Sequence, residues 1–128
     1  MATLLTGSEW NVMECLWDQA PRTVTELAKE LERRVCWAKS TTLTTVRRME
    51  HKGLVRYEQQ GRAKQYFPTI PREQAAMEQT RHFLQKVYQG SVGQMVSSLL
   101  EHKALSPQQI QELSRLLEQA EQEAGPHA

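Results

Sequence analysis

A single aspartate, Asp18, and two cysteines, Cys15 and Cys36, are all that 128 residues supply of those types, and each scarcity removes a class of chemistry. Carboxylate pairs for acid–base work would have to come from glutamate. The cysteines lack the C-x-x-C or Cys/His spacing of a structural zinc site and read as small apolar residues. His51, His82, His102 and His127 are scattered, with no i, i+4 pair to hold a metal. No G-x-G-x-x-G, Walker A or G-x-S-x-G motif occurs. Gly90-Ser-Val-Gly93 has the GXXG form of a KH loop but no flanking strands, so it reads as a helix stop and restart. We therefore expect no catalytic site, no metal and no cofactor. No apolar run approaches the length of a membrane span, and the chain does not open with a basic segment leading into an apolar one. A cytoplasmic protein without a membrane partner is expected.

What the chain does have is charge sorted along its length. Residues 33–72 carry ten Lys/Arg against only Glu50 and Glu58, about +8, although the whole chain is only +1. Residues 1–32 hold two bases against six acids, and residues 73–128 hold four against seven. A field of one sign concentrated in one segment attracts a polyanion, and nucleic acid is the commonest. A charge run is also often no more than a solvated face, so the structure that carries it decides.

At this length one domain, or a small domain with a helical extension, is expected. Thr6 and Glu9 have capping-box spacing, with Leu5 and Trp10 at the positions of a hydrophobic staple. Trp10, Met13, Leu16 and Trp17 then follow on one helical face, a spacing that makes them core rather than ligand-stacking residues. A second box, Thr23 with Glu26, opens a helix whose Leu27, Ala28 and Leu31 share a face. A third helix spans about 38–51 and stops at Gly53. Two strands over 54–58 and 65–70, joined by the polar stretch 59–64, read as a hairpin, and Pro68 places the second strand at an edge or its end.

Helix, helix, helix, hairpin is the order of a winged helix, in which the third helix enters the major groove and the wing reaches the flanking backbone. Winding that helix puts Thr42, Thr45, Val46 and Met49 toward the core. Ser40, Leu43, Thr44, Arg47 and His51 then face outward, with Thr41 and Arg48 on the flank. Small hydroxyls let a backbone approach DNA closely, Leu43 suits a thymine methyl, and Arg47 or Arg48 suits guanine or phosphate. Arg62 and Lys64 at the hairpin tip suit phosphates. Five Ser/Thr within Ser40–Thr45 lower helix propensity, which an idle surface helix gains nothing from. The competing reading is a winged helix that meets an acidic protein partner.

After Pro71 the pattern is helix only. Phe83 and Val87 lie on a long helix ending near Gly90. Met95 and Leu99 line the next helix after a restart at Ser91. Ser106-Pro107-Gln108-Gln109 starts a third, with a Ser cap and Pro at the first helical position. Ile110, Leu113 and Leu117 begin a near-heptad seam that runs on through Ala120 and Ala124 before a frayed end at 125–128. Apolar seams on helices joined by short links suit a two-fold interface, so a homodimer is expected. Packing back onto the hairpin domain is the alternative. The expected architecture is mainly α: a winged-helix DNA-binding domain over 1–71 and a helical dimerisation domain over 72–128.

Several stretches resemble the BlaI/MecI/CopY-type winged-helix repressors, the penicillinase repressors. They are Leu5-Thr-Gly-Ser-Glu-Trp-Asn-Val-Met-Glu-Cys-Leu-Trp17, Val24-Thr-Glu-Leu-Ala28, Trp37-Ala-Lys-Ser-Thr-Thr-Leu-Thr-Thr-Val-Arg-Arg48, Lys52-Gly-Leu-Val55 and Gly61-Arg-Ala63 through Tyr66. The resemblance covers about residues 4–122. It implies a cytosolic homodimer that binds an inverted-repeat operator in double-stranded DNA and represses transcription. The family's contacts carry over to Thr41, Thr44 and Arg48, while Leu43 stands where some members have arginine. A regulatory protease or sensor is an implied partner, of unassigned identity. The Asn-Phe bond cut in one branch is not matched at Ser98-Leu99, and the cysteine-rich metal motif of another has no counterpart after Cys36.

Overall fold

In a computed structural model, which describes residues 4–125, the helices are α1 (Gly7–Asp18), α2 (Val24–Val35), α3 (Lys39–Lys52), α4 (Arg72–Tyr88), α5 (Val92–Glu101) and α6 (Pro107–Ala124). An antiparallel hairpin, β1 (Val55–Gln60) with β2 (Ala63–Pro68), lies between α3 and α4. The chain divides into two compact units, one ending at His82 and the next beginning at Phe83.

The first unit is built from two capping boxes and one buried layer. Thr6 and Glu9 satisfy each other's amides at the start of α1, and Thr23 and Glu26 do so at α2. Each box removes two unpaired N–H groups from a helix end. The inward faces meet in a core of Val12, Met13, Leu16, Leu27, Leu31, Val46, Met49 and Leu54, joined by Tyr66 of β2 and Ala75 of α4. Met13 and Leu16 are fully buried, whereas Trp10 and Trp17 are only partly so. The two indoles meet edge to face, 5.3 Å between centroids, and the Trp17 N–H donates to the Ile70 carbonyl at 2.9 Å. That polar handle holds Trp17 at the rim of the core.

The hairpin is tighter than the sequence predicts and is displaced toward its tip, since Leu54, Thr69 and Ile70 fall outside the strands. The strands extend to Gln60 and from Ala63, with Val55 opposite Pro68 and Tyr57 opposite Tyr66, leaving Gly61-Arg62 as a two-residue turn. Gly61 at φ +61° supplies the left-handed position that such a turn demands, so Gln59, Gln60, Ala63 and Lys64 pair as strand instead of looping out. Pro68 is the last residue of β2, where its missing N–H costs no ladder bond.

In the second unit the stop at Gly90 and the restart at Ser91 lie where the sequence places them. The Ser91 side chain accepts from the Gln94 amide, and Ser106 and Gln109 form a third capping box with Pro107 at the first helical position. No residue of α5 or α6 is buried. Gly125 ends α6, and the remaining residues of the expected frayed end, 126–128, lie outside the described residues.

Candidate nucleic-acid interface

The sequence of α3 divides cleanly between core and solvent. Thr42, Thr45, Val46 and Met49 are buried, while Ser40, Thr41, Thr44, Arg47 and Arg48 are exposed and Leu43 is half-buried between the two sets. The helix is held at both ends. Gly53 closes it in the left-handed conformation, and Lys52 reaches the buried Glu9 of α1 at 2.6 Å. Ala38 supplies no capping side chain, so the first amides of α3 stay available to a ligand.

Ion pairing sorts the ten bases of residues 33–72 into two sets. Arg33 and Arg34 pair with Glu30, and Arg34 also with Asp18. Lys52 pairs with Glu9, Arg56 with Glu58 at 2.9 Å, and Arg72 with Glu14 at 2.8 Å. The other five, Lys39, Arg47, Arg48, Arg62 and Lys64, form no ion pair among the described residues. These five lie on α3 and at the hairpin tip. The uncompensated positive charge of the segment is therefore concentrated on the two elements that a winged helix presents to DNA.

Two depressions flank the outward face of α3. A cleft of about 570 Å³ is lined by Thr23, Thr25, Leu43, Arg47, Glu50, Arg62, Lys64 and Tyr66, so it brings the start of α2, the middle of α3 and the wing together. A shallower pocket of about 300 Å³ is lined by Ser8, Ser40, Thr41, Thr44, Thr45 and Arg48. Lys64 lies over the Tyr57 ring, 4.2 Å from its centroid, which steadies the ammonium without neutralising it. Arg56, held over Phe67 and paired with Glu58, is committed to the other face of the wing.

Three titrating groups carry the mark of this packing. Burial pushes the Glu9 carboxyl up, but hydrogen bonds from Lys52 and the Thr6 amide outweigh it and hold it below the usual carboxylate range. The Tyr66 phenol is pushed up to about 12 by burial and by its 3.0 Å hydrogen bond to Glu50. Burial also raises the Cys15 thiol, which keeps it protonated and inert inside α1. Among the described residues no cluster of three or more His, Cys, Asp or Glu could hold a metal ion, and no helix is long and apolar enough to cross a membrane.

The structure thus brings Leu43, Arg47, Arg62 and Lys64 into one cleft and Ser40, Thr41, Thr44 and Arg48 into another pocket. Of the residues expected to dimerise, Phe83, Val87, Ile110 and Leu117 are exposed, and Met95, Leu99 and Leu113 are half-buried. Sequence reasoning passed over Lys39, Ser8, Thr23 and Thr25. Lys39 was legible, since Lys39, Leu43 and Arg47 form an i, i+4, i+8 stripe. Ser8 and the two threonines come from other helices, and only the tertiary fold brings them beside α3.

A family model described as "Penicillinase repressor" matches residues 5–119. The chain is 30% identical over 115 residues to the penicillinase repressor of Bacillus licheniformis, covering 90% of each chain. It is 24% identical over 113 residues to the methicillin resistance regulatory protein MecI of Staphylococcus aureus, covering 88% of this chain and 92% of that one. Among solved structures it is similar to the DNA binding domain of the repressor BlaI, with a TM-score of 0.52 and 26% identity over 58% of this chain and 90% of that one. The Bacillus licheniformis BlaI monomeric form in complex with the blaP half-operator matches with a TM-score of 0.51, at the same identity and coverage. With a family model spanning nearly its whole length and a relative 30% identical over nine-tenths of both chains, this chain belongs to the penicillinase repressor family.

Proposed function

We propose that this protein is a sequence-specific repressor of transcription that binds an inverted-repeat operator as a homodimer. One observation carries the reading. The five bases of the central segment without an ion pair fall on the outward face of α3 and the wing tip, beside the hydroxyls of Ser40, Thr41 and Thr44. Arg47 and Arg48 read base edges or phosphates in the major groove, Leu43 lies against base methyls, and Arg62 and Lys64 take phosphates beside the groove. The related BlaI monomeric form is known bound to half of an operator, and one half-site per protomer is what a two-fold complex requires.

The dimer part of the reading rests on the second unit. Its helices expose Phe83, Val87, Val92, Leu100, Ile110, Leu116 and Leu117, apolar side chains that a single chain leaves in water. A second copy laid against the same faces buries them around a two-fold axis, with the unit that begins at Phe83 as the dimer unit and the unit that ends at His82 as the reader. A regulatory protease or sensor would act on this dimer unit. Ser98 and Leu99 lie within the regular helix α5.

Selection of bound duplexes from a random pool tests the function directly. An inverted repeat with half-sites about one helical turn apart, or a multiple of it, is the expected product. Its affinity should fall log-linearly with salt, with a slope of about −0.9 per phosphate neutralised. Recovery of no preferred sequence at low salt would overturn the reading and favour an acidic protein partner for the same face.

A further inference from the structure

Glu50 is the one acid lining the cleft that also holds Arg47, Arg62 and Lys64. It stands three residues after Arg47 on α3, a spacing at which opposite charges on a helix pair. The two do not pair. Glu50 Oε1 accepts a 3.0 Å hydrogen bond from the Tyr66 hydroxyl, which reaches across from β2. Tyr66 has little freedom to move away. It is only 4% exposed, its amide donates to the Arg22 carbonyl at 2.8 Å, and its carbonyl accepts from the Arg22 amide at 3.2 Å. Its ring also packs beside Tyr57, 5.9 Å between centroids. With its phenol pushed up to about 12, the hydroxyl remains a donor throughout the neutral range.

We propose that Tyr66 is a positioning residue for DNA recognition: its hydroxyl draws Glu50 toward the wing and so leaves the Arg47 guanidinium available to the nucleic acid. The inference rests on the DNA-binding reading above. A half-buried carboxylate seeks a donor, because an unsatisfied charge away from water is costly. Without the phenol, the nearest such donor at helical spacing is Arg47. An Arg47–Glu50 pair would turn a free cation facing the groove into a neutral couple, and one contact to DNA would be lost. Tyr66 thereby ties the wing to the reading helix in two senses: it fixes the geometry between them and it decides which charges are uncompensated.

The test uses the full-length protein on its selected operator, with affinity measured across a salt series. Tyr66→Phe keeps the ring in the core and removes only the donor. Binding is expected to weaken about tenfold, with the magnitude of the salt slope falling by about one. Adding Glu50→Gln to that variant should restore both, since a neutral amide does not hold Arg47. Glu50→Gln alone, which leaves the phenol in place should Tyr66→Phe fail to fold, is expected to tighten binding two- to threefold by removing a like charge beside the phosphates. Unchanged affinity and slope in Tyr66→Phe would overturn the proposal. So would a loss that Glu50→Gln does not restore, or weaker binding by Glu50→Gln alone. Failure of the unaltered protein to select any duplex would instead overturn the DNA-binding reading itself.

Discussion

Lys52 Nζ lies 2.6 Å from Glu9 Oε2, joining the last turn of α3 to the first turn of α1. Glu9 is fully buried, and its other carboxylate oxygen accepts the Thr6 amide at 2.9 Å. One side chain therefore caps α1 and pins the C-terminal end of α3. The pair fixes how α3 stands on its support, which is what a groove-reading helix needs most.

Lys52→Ala should cost about 2–3 kcal/mol of stability, because it strands a buried carboxylate. The figure sits below that for a fully enclosed pair because the Lys52 side chain is 44% exposed. Acid should act in the same direction. The Glu9 carboxyl is held below its ordinary value of 4.5, so its stabilisation is complete above that pH and fades as pH falls through the lower folded value. Urea unfolding at pH 7 and at steps below 4.5 checks both, and the acid-dependent loss should shrink in Glu9→Gln.

Thr42 and Thr45 are both buried on α3, yet they should respond oppositely to valine. Thr45 Oγ1 donates to the Thr41 carbonyl at 2.7 Å, whereas Thr42 Oγ1 is buried with no hydrogen-bond partner among the described residues. Replacing an unsatisfied hydroxyl by a methyl of the same shape removes a desolvation cost of about 1 kcal/mol or more. Thr42→Val should therefore raise the urea midpoint and Thr45→Val should not. An equal response in the two would mean that Thr42 finds a partner in solution.

Thr44→Ala and Arg48→Ala should weaken operator binding by about 1 kcal/mol and about 1–3 kcal/mol respectively, with thermal unfolding unchanged because both residues are exposed. The loss should be larger on the operator than on random duplex for a residue that reads bases, and equal on both for one that holds phosphate. Shift assays on the two duplexes separate these roles. Operator affinity unaltered in both variants would put the reading face elsewhere.

Leu117→Asp should prevent the proposed dimer from forming. In a single chain Leu117 is 58% exposed, so a charge there would cost the isolated protomer almost nothing. Across a two-fold seam the same charge is buried without a partner and costs several kcal/mol. Sedimentation at micromolar concentration reads the difference, and Leu113→Asp provides a second probe on the same helix.

The local structure was legible because its signals are short-range. Capping boxes at Thr6/Glu9, Thr23/Glu26 and Ser106/Gln109, the glycine after α3 and the core face Thr42-Thr45-Val46-Met49 all follow from spacing along the chain. The hairpin limits were less legible. Gln59, Gln60 and Lys64 are as polar as any loop and Ala63 carries little strand preference, and only the left-handed Gly61 lets a two-residue turn bring them into register.

By itself the sequence determined which elements form, in what order, and that net positive charge is concentrated in the middle third. The tertiary structure decided which of those charges act. Arg33, Arg34, Lys52, Arg56 and Arg72 meet carboxylates, several of them brought close from distant parts of the chain, while Lys39, Arg47, Arg48, Arg62 and Lys64 meet none among the described residues. The reason is that helix and strand preferences depend on neighbours a few residues away, whereas a charge is cancelled or left uncompensated by whatever the fold places within about 4 Å of it.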